Sequence, residues 1–408
     1  MRFRLHTTIA VLGAILLLPS LALTQDKPAA PAQDTSAAQQ APQGEAESSV
    51  QEAPIEPVLS GPYPVMSKAA EDRARQIFQM FNHTQAGEMW QTLSEGLRKH
   101  SGKEDRFIEY NKKLREKMGL ETKMLDETIV PYIMAPDTVY SRLSEFANAR
   151  VPIMTEITIN QRGQIDAFTV RPMPTVAEGR YAGYEDATKL KLPFSDEWLV
   201  YFGGRSPFQN VYAVSDDQRY GMDFVYLKNG RMFSGAGGAG SKNEDYYCFG
   251  QPIVAPADGT IVKAEGLYDD NAPGKPTGDQ PDGNIVIIFH GNGESSVFNH
   301  LKQNSVKVKV GDKVKQGDVI GQCGNSGAGP IPYLHYQLRK TAGVTLPAQF
   351  VDYVADGKPV ASGEPTRGQF VKNGAPASAS TTNKPPASKG ASTPATASKT
   401  PSTPPASK

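Results

Sequence analysis

The chain has 408 residues, of which 38% are hydrophobic and 21% are charged, and its 43 basic side chains equal its 43 acidic ones. This balance excludes a chain-wide basic surface of the kind that holds nucleic acid. The apolar fraction lies below the ~45–50% of ordinary globular domains, and Pro (32) and Gly (38) are numerous. We therefore predict that part of the chain does not fold.

Residues 1–24 have the pattern of a secretory signal peptide. Arg2 and Arg4 precede an apolar run at 9–23, and small residues follow at 22–24. The run is shorter than the ~20 residues that a membrane-spanning helix needs. We expect cleavage near residue 24, a secreted or periplasmic location at the cell envelope, and no transmembrane segment in the mature chain. An uncleaved anchor helix is the alternative.

Two polar segments of low complexity flank the remainder. Residues 25–61 consist mainly of Ala, Gln, Pro, Ser and Glu, and residues 366–408 of Pro, Ala, Ser, Thr, Gly and Lys. Such compositions bury too little apolar surface to offset the loss of chain entropy on folding. The sequence therefore predicts a disordered linker at 25–61 and a disordered tail at 366–408.

Residues 62–175 combine helical and strand patterns. Apolar side chains recur at helical spacing in three stretches between 70 and 118, and runs typical of strands follow at 128–134, 139–146, 153–159 and 165–170. Helices followed by an antiparallel meander resemble the cystatin-like or nuclear-transport-factor-like α+β domains. This resemblance implies a binding or spacer module.

Residues 190–355 are predicted to be all β. Gly, Asp and Pro recur between short apolar runs, which is typical of a sandwich or barrel. The stretch at 306–321 has the pattern of a β-hammerhead. Cys248 and Cys323 are the two cysteines of the chain, and the sequence leaves open whether they form a disulfide or remain buried thiols.

Six short segments of this region occur in an informative order. They are APADGTIV (255–262), NHL (299–301), VGDKV (310–314), GDVIG (317–321), GNSG (324–327) and LHYQLR (334–339). In this order they resemble the lysostaphin/LytM-type zinc endopeptidases, which cut peptide cross-links in peptidoglycan. The resemblance implies a LytM-type sandwich with a β-hammerhead, the duplicated hybrid motif.

The resemblance also implies a zinc site made by two histidines and one aspartate, with two further histidines for proton transfer and oxyanion stabilisation. By position, Asp223 and His335 match metal ligands and His300 matches a catalytic histidine. Tyr333 stands at the other catalytic position, where the family has histidine. The third ligand is replaced either by Arg219, four residues before Asp223, or by Tyr212, in a segment that matches Asn-x-His.

Neither replacement is a good zinc ligand. Tyrosine has a pKa of ~10 and arginine is permanently cationic. We hypothesise that Arg219 forms an ion pair with Asp223 in place of the metal. As alternatives, Asp216, Asp217 or Cys323 rescues metal binding. A third possibility is that Asp223, His335 and His300 persist as a buried hydrogen-bonded structural group.

The sequence therefore predicts a secreted LytM-like protein that binds peptidoglycan or its stem peptides without hydrolysis, as a regulator or scaffold of wall hydrolysis. The alternative is an active zinc endopeptidase with a remodelled ligand set, so the cofactor is either zinc or none. A purely structural envelope protein is a third reading. Expected partners include a cell-wall amidase or another envelope protein, but not nucleic acid. The glycine-rich run at 235–240 is predicted to be a loop at the groove rim.

Overall fold

We analysed a computed structural model, which describes residues 63–234, 240–340 and 343–374. The predicted signal peptide, the whole of the predicted linker, the tail beyond residue 374 and most of the glycine-rich run lie outside the described residues. In the described ranges, no helix combines the length and apolar character needed to cross a membrane.

The N-terminal region places four helices against an antiparallel sheet. The helices are α1 (Lys68–Asn82), α2 (Ala86–Thr92), α3 (Glu95–Ser101) and α4 (Glu104–Met118); the strands are β1 (Glu121–Pro131), β2 (Thr138–Phe146), β3 (Ile153–Ile159) and β4 (Ile165–Pro172). The strands pair in chain order. Phe78 and Phe81 of α1 share an apolar cluster with Tyr140 and Ile157 of the sheet, as the helical and strand periodicities predict.

Capping side chains set the helix boundaries. Ser67 accepts a hydrogen bond from the backbone of Ala70 at the start of α1, and Ser94 does the same for Leu97 at the start of α3. Because Ser94 begins a new helix, the second of the three apolar stretches predicted between residues 70 and 118 is divided between α2 and α3.

The C-terminal region is mostly β-sheet, as predicted. Its strands are β5 (Trp198–Phe202), β6 (Met222–Val225), β7 (Pro252–Val254), β8 (Gly259–Glu265), β9 (Asn284–Gly291), β10 (Glu294–Leu301), β11 (Lys313–Val314), β12 (Val319–Gln322), β13 (Leu334–Lys340), β14 (Thr345–Leu346), β15 (Phe350–Ala355), β16 (Lys358–Gly363) and β17 (Phe370–Asn373). A large sheet runs in the order β11-β8-β9-β10-β13-β6-β5-β17-β15-β16, with β14 beside β13, and β7 and β12 form a separate pair.

The centre of the large sheet is buried on both faces. The first five residues of β13 are all buried, and Tyr336 packs its ring against Phe298 and Phe350 at centroid distances of 5.4 and 5.5 Å. This architecture agrees with the expected LytM-type β fold. The internal duplication stays a prediction.

Two sequence-based expectations about the C-terminal region differ from the structure. The tail does not begin at 366, because Phe370–Asn373 forms β17 between β5 and β15, with Val371 fully buried. Within the stretch 306–321, which has the β-hammerhead pattern, residues 306–310 do not form a strand. Val306 and Val308 nevertheless pack on the core. The backbone N–H of Lys309 donates a hydrogen bond to the Asp312 carboxylate. This N–H is therefore not available for pairing with a neighbouring strand.

The N-terminal and C-terminal regions share one apolar cluster. Val130 and Val139, at the ends of β1 and β2, are buried together with Leu199 of β5 and Val225 of β6. The cluster continues through Tyr333, beside the start of β13. The N-terminal region therefore packs against the part of the C-terminal sheet that carries the predicted site residues.

Cys248 and Cys323 form a disulfide, which settles the alternative that the sequence left open. Their Cα atoms are 6.0 Å apart, 75 residues separate them along the chain, and both side chains are buried. The bond attaches the loop before β7 to the segment after β12.

We predict that replacing both cysteines by alanine lowers the free energy of unfolding by roughly 4 kcal/mol, because the unfolded chain loses a long closed loop. Urea unfolding of the wild type with and without reductant, beside the double variant, measures this. The double variant should not respond to reductant. Equal unfolding midpoints for oxidised wild type and variant would contradict the prediction.

Candidate functional site

The two predicted metal ligands lie on neighbouring strands. Asp223 of β6 and His335 of β13 face each other in the antiparallel register, and both are about 95% buried, with exposed fractions of 5% and 4%. The Nδ1 atom of His335 lies 2.7 Å from Oδ1 of Asp223. The structure therefore brings these residues together, bonded directly to each other.

The second ring nitrogen of His335 is also engaged. Gln337 lies two residues along β13 and hence on the same face, with its Nε2 atom 2.7 Å from Nε2 of His335. Arg339 donates from Nε to Oε1 of Gln337, which leaves the amide nitrogen of Gln337 to face the ring. We assign the proton of His335 to Nδ1, from which it is donated to Asp223.

A glycine makes room for this ring. A Cβ atom at Gly221 would lie 2.9 Å from Cε1 of His335, closer than ordinary contacts allow. The sequence GMDF therefore has glycine where the chain passes the imidazole.

Tyr212 fills the position beside Asp223. Its hydroxyl donates to Oδ2 of Asp223 at 2.9 Å, and its ring meets His335 edge-on at a centroid distance of 5.0 Å. Burial of the hydroxyl and the negative charge of Asp223 raise the pKa of Tyr212 well above its ordinary value. Tyr212 is therefore a neutral hydrogen-bond donor.

Asn210 holds Tyr212 in place. It caps the short 3-10 helix Val211–Val214, and its side-chain oxygen accepts the backbone N–H of Tyr212. Its amide nitrogen reaches the carbonyl oxygens of Gly204, Arg219 and Gly221. The Asn of the Asn-x-Tyr segment thus fixes the turn that aims the tyrosine at Asp223.

The predicted ion pair between Arg219 and Asp223 is wrong. Arg219 donates to Oδ1 of Asp216 at 3.0 Å and to the carbonyl oxygen of Ala177 at 2.9 Å. Both carboxylate oxygens of Asp223 already accept bonds from His335 and Tyr212. Of Tyr212 and Arg219, Tyr212 is the residue that contacts Asp223; the replacement of a third metal ligand stays a prediction.

The suggested rescue ligands do not reach the site either. Asp216 is bonded to Arg219 with its side chain 91% exposed. Asp217 accepts the hydroxyl of Ser215, and Cys323 is consumed by the disulfide.

His300 adjoins the pair from the end of β10. Its ring centroid lies 6.1 Å from that of His335, and its Nδ1 donates to the carbonyl oxygen of Ser326 at 2.8 Å. The backbone has φ +60°, a left-handed conformation that costs a non-glycine residue about 1–3 kcal/mol. Burial, and then the proximity of the His335 ring, lower the pKa of His300 to about 4, so its ring is neutral at pH 7.

Tyr333 closes the remaining side. Its ring lies 4.9 Å from that of His300, and its hydroxyl interacts with that of Tyr212. Burial, with the charge of Asp223, raises the pKa of Tyr333 well above the ordinary value. Tyr333 and His335 share one face, as the period-2 alternation of a strand predicts.

The donor set does not fit a catalytic zinc ion. Such a site has three protein ligands and one open position, with ligand atoms ~3.4 Å apart if bonds of ~2.0–2.2 Å meet at the tetrahedral angle. Asp223 and His335 are in direct contact at 2.7 Å, and Tyr212 donates a hydrogen bond to Asp223. No group of three His, Cys, Asp or Glu side chains that could hold a metal occurs within 63–234, 240–340 and 343–374.

Gln337 and Arg339 complete the hydrogen-bond chain and were missed by motif reasoning. Their signal is visible on β13, where the polar side chains of Gln337 and Arg339 follow His335 at every second position and alternate with Tyr336 and Leu338.

Comparisons with known proteins place this region in a family context. Residues 242–347 match the model of Peptidase family M23, a range that includes His300, Tyr333 and His335 and begins after Asp223.

Two curated relatives and one solved structure illustrate the similarity. The chain is 36% identical over 89 residues to "Peptidoglycan DD-endopeptidase ShyA" of Vibrio cholerae, covering 22% of this chain and 17% of that protein. It is 30% identical over 134 residues to "Cell division protein DipM" of Caulobacter vibrioides, covering 32% and 20%. The matched segments thus span about a fifth of either relative. The catalytic domain of lysostaphin from Staphylococcus simulans is 22% identical, with 36% of this chain and 81% of that chain covered and a TM-score of 0.21.

We predict that Tyr212→Phe lowers the free energy of unfolding by about 1–3 kcal/mol, because Asp223 loses a buried hydrogen-bond donor. Tyr333→Phe is the matched control: it removes a hydroxyl of the same site that interacts with Tyr212 rather than with Asp223, and should cost less. Urea unfolding of the three proteins measures the difference. A Tyr212→Phe variant as stable as the wild type would contradict the prediction.

Proposed function

The chain contains a peptidase family M23 domain at residues 242–347, and from this premise we propose that it is a cell-envelope protein that binds peptidoglycan stem peptides without cleaving them. The observation that carries this proposal is the hydroxyl of Tyr212 bonded to Asp223 at 2.9 Å. In this proposal, Tyr212 stands where the LytM-type pattern has a third metal ligand, and it offers a hydrogen-bond donor instead.

The remaining site residues support a non-hydrolytic role. Hydrolysis by this family needs an activated water, and a metal ion lowers the pKa of such a water to ~7. Here the polar atoms of Asp223 and His335 are occupied by protein partners. His300, with its pKa lowered to about 4, is a weak base at neutral pH.

Family membership by itself favours a role at the cell wall, and does not decide between enzyme and binding protein. One similar protein is named a peptidoglycan endopeptidase and the other a cell division protein. The choice therefore depends on the ligand set of this chain, in which Tyr212 and Tyr333 replace histidines of the LytM-type pattern.

The rest of the proposal concerns location and partners. The signal-peptide pattern of residues 1–24 supports a secreted or periplasmic protein. The α+β region supports a cystatin-like module that presents the M23 domain to an envelope partner, such as a cell-wall amidase, and makes the protein a regulator or scaffold of wall hydrolysis.

The test uses the full secreted chain, purified without added metal and then given one equivalent of zinc. We expect far less than one bound zinc ion per chain by elemental analysis, retention on purified sacculi, and no release of soluble muropeptides. Stoichiometric zinc together with digestion that His335→Ala abolishes would establish the active endopeptidase. Absence of both retention and digestion would favour a structural envelope protein.

A second prediction follows from the position of Tyr212. Tyr212→His places an imidazole beside Asp223 and His335, so we expect this variant to bind one zinc ion per chain by calorimetry. Arg219→His is the matched control, because Arg219 points to Asp216 and Ala177, and should bind none. Zinc binding by Arg219→His but not by Tyr212→His would contradict the assignment.

A further inference from the structure

A cavity of about 430 Å³ opens in the N-terminal region between the first and the last helices. Thr84 and Ala86, where the chain passes from α1 to α2, contribute to its lining. Ile108, Lys112 and Arg115 of α4 also line it, and their spacing of four and three residues places them on one face of the helix. No residue of the candidate M23 site belongs to this lining, so the cavity is a separate feature of the molecule.

Arg115 brings a buried positive charge to the cavity. Its side chain lies over the rings of Phe81 and Phe146, with the guanidinium carbon 5.5 and 5.6 Å from the two ring centroids, and the residue is 4% exposed. The rings hold the guanidinium by cation–π attraction but accept no ordinary hydrogen bond from it. Nε and Nη1 of Arg115 have no hydrogen-bond partner in the part of the chain that the structure describes. Buried donors of this kind favour any acceptor that enters the cavity.

No carboxylate of the described residues forms an ion pair with Arg115. The charge of Glu121 reaches Arg115, yet both oxygens of Glu121 accept hydrogen bonds from Arg142, at 2.8 and 2.9 Å. Lys112 adds a second positive charge to the lining and Glu116 a negative one. The cavity therefore has an excess of one positive charge, which attracts an anionic group.

The remaining wall is apolar and includes a strained residue. Ile108 and Leu120 are 36% and 59% exposed, so aliphatic surface lies open beside the charge of Arg115. Thr84 has φ +59°, a left-handed conformation that is rare for a β-branched residue. Strained backbone of this kind is concentrated at functional sites.

We propose that this cavity is a second binding site, which takes the C-terminal carboxylate of a partner protein whose last residue is aliphatic. The carboxylate would accept hydrogen bonds from Arg115 and feel the charge of Lys112. The aliphatic side chain would lie against Ile108 and Leu120.

The lining favours a peptide terminus over a long acyl chain. Its apolar surface is limited to Ala86, Ile108 and Leu120, which suits one aliphatic side chain. Lys112 and Glu116 interrupt that surface with charges, and an acyl chain cannot use them. The carboxylate of Glu116 can instead accept a backbone N–H of a bound peptide.

Calorimetry with the full secreted chain tests the site. The probe is an acetylated Gly-Ala-Leu tripeptide, either with a free C-terminal carboxylate or as its C-terminal amide. We expect the acid to bind roughly tenfold or more tightly than the amide, because only the acid forms charge-assisted hydrogen bonds. In Arg115→Met, whose fold is checked by circular dichroism, the two forms should bind equally. A merely structural role of Arg115 would instead weaken both forms alike.

Lys112→Met changes an exposed residue and serves if Arg115→Met does not fold. It should weaken binding of the acid and leave binding of the amide unchanged. Lys113→Met is the matched control, because Lys113 is paired with Glu109 and does not line the cavity, and should bind both forms as the wild type does.

Three results would overturn the proposal. They are no binding of the acid, equal binding of acid and amide by the wild type, and an acid preference that persists in both folded variants. Tighter binding of acetylated D-Ala-D-Ala than of the leucine peptide would also overturn it, and would assign the cavity to wall peptides. The site lies in the N-terminal region, so its failure would leave the result on purified sacculi unaffected.

Discussion

The hydrogen bond from Tyr212 to Asp223 determines what the site of this M23 domain can do. It uses one carboxylate oxygen of Asp223 while His335 uses the other. Gln337 and Arg339 then extend the chain of donors along β13. The polar atoms of this buried group have partners within the protein, and a buried network of this kind fixes side-chain positions.

Part of this site could be predicted from sequence. Strand alternation places Tyr333 and His335 on one face, and the order of the motifs identifies Asp223 and His300. The choice between Tyr212 and Arg219 could not be made from spacing, because it depends on the turn that Asn210 fixes through three carbonyl groups. A short irregular turn leaves no periodic signal, so only the folded chain shows which residue faces Asp223.

The fold shows the same division between local and long-range information. Ile153–Ile159 is a strand, as its local sequence predicts, whereas the residues of β17 fall within the predicted tail because four residues in a polar context carry little local pattern. Its stability comes from pairing with β5 and β15. Likewise, the pairing of Cys248 with Cys323 and the contact of the Tyr246 hydroxyl with the carbonyl oxygen of Ile133 depend on residues that are distant along the chain.

The most direct test of the central claim is to determine which ring nitrogen of His335 carries the proton. Its imidazole ¹⁵N chemical shifts, measured before and after one equivalent of zinc, report this. The hydrogen-bond chain predicts a proton on Nδ1, an unprotonated Nε2 that accepts a hydrogen bond from Gln337, and shifts that zinc leaves unchanged. If the ¹⁵N shifts change on adding zinc and show that Nδ1 has lost its proton, the metal displaces the bond to Asp223. That result would contradict the account.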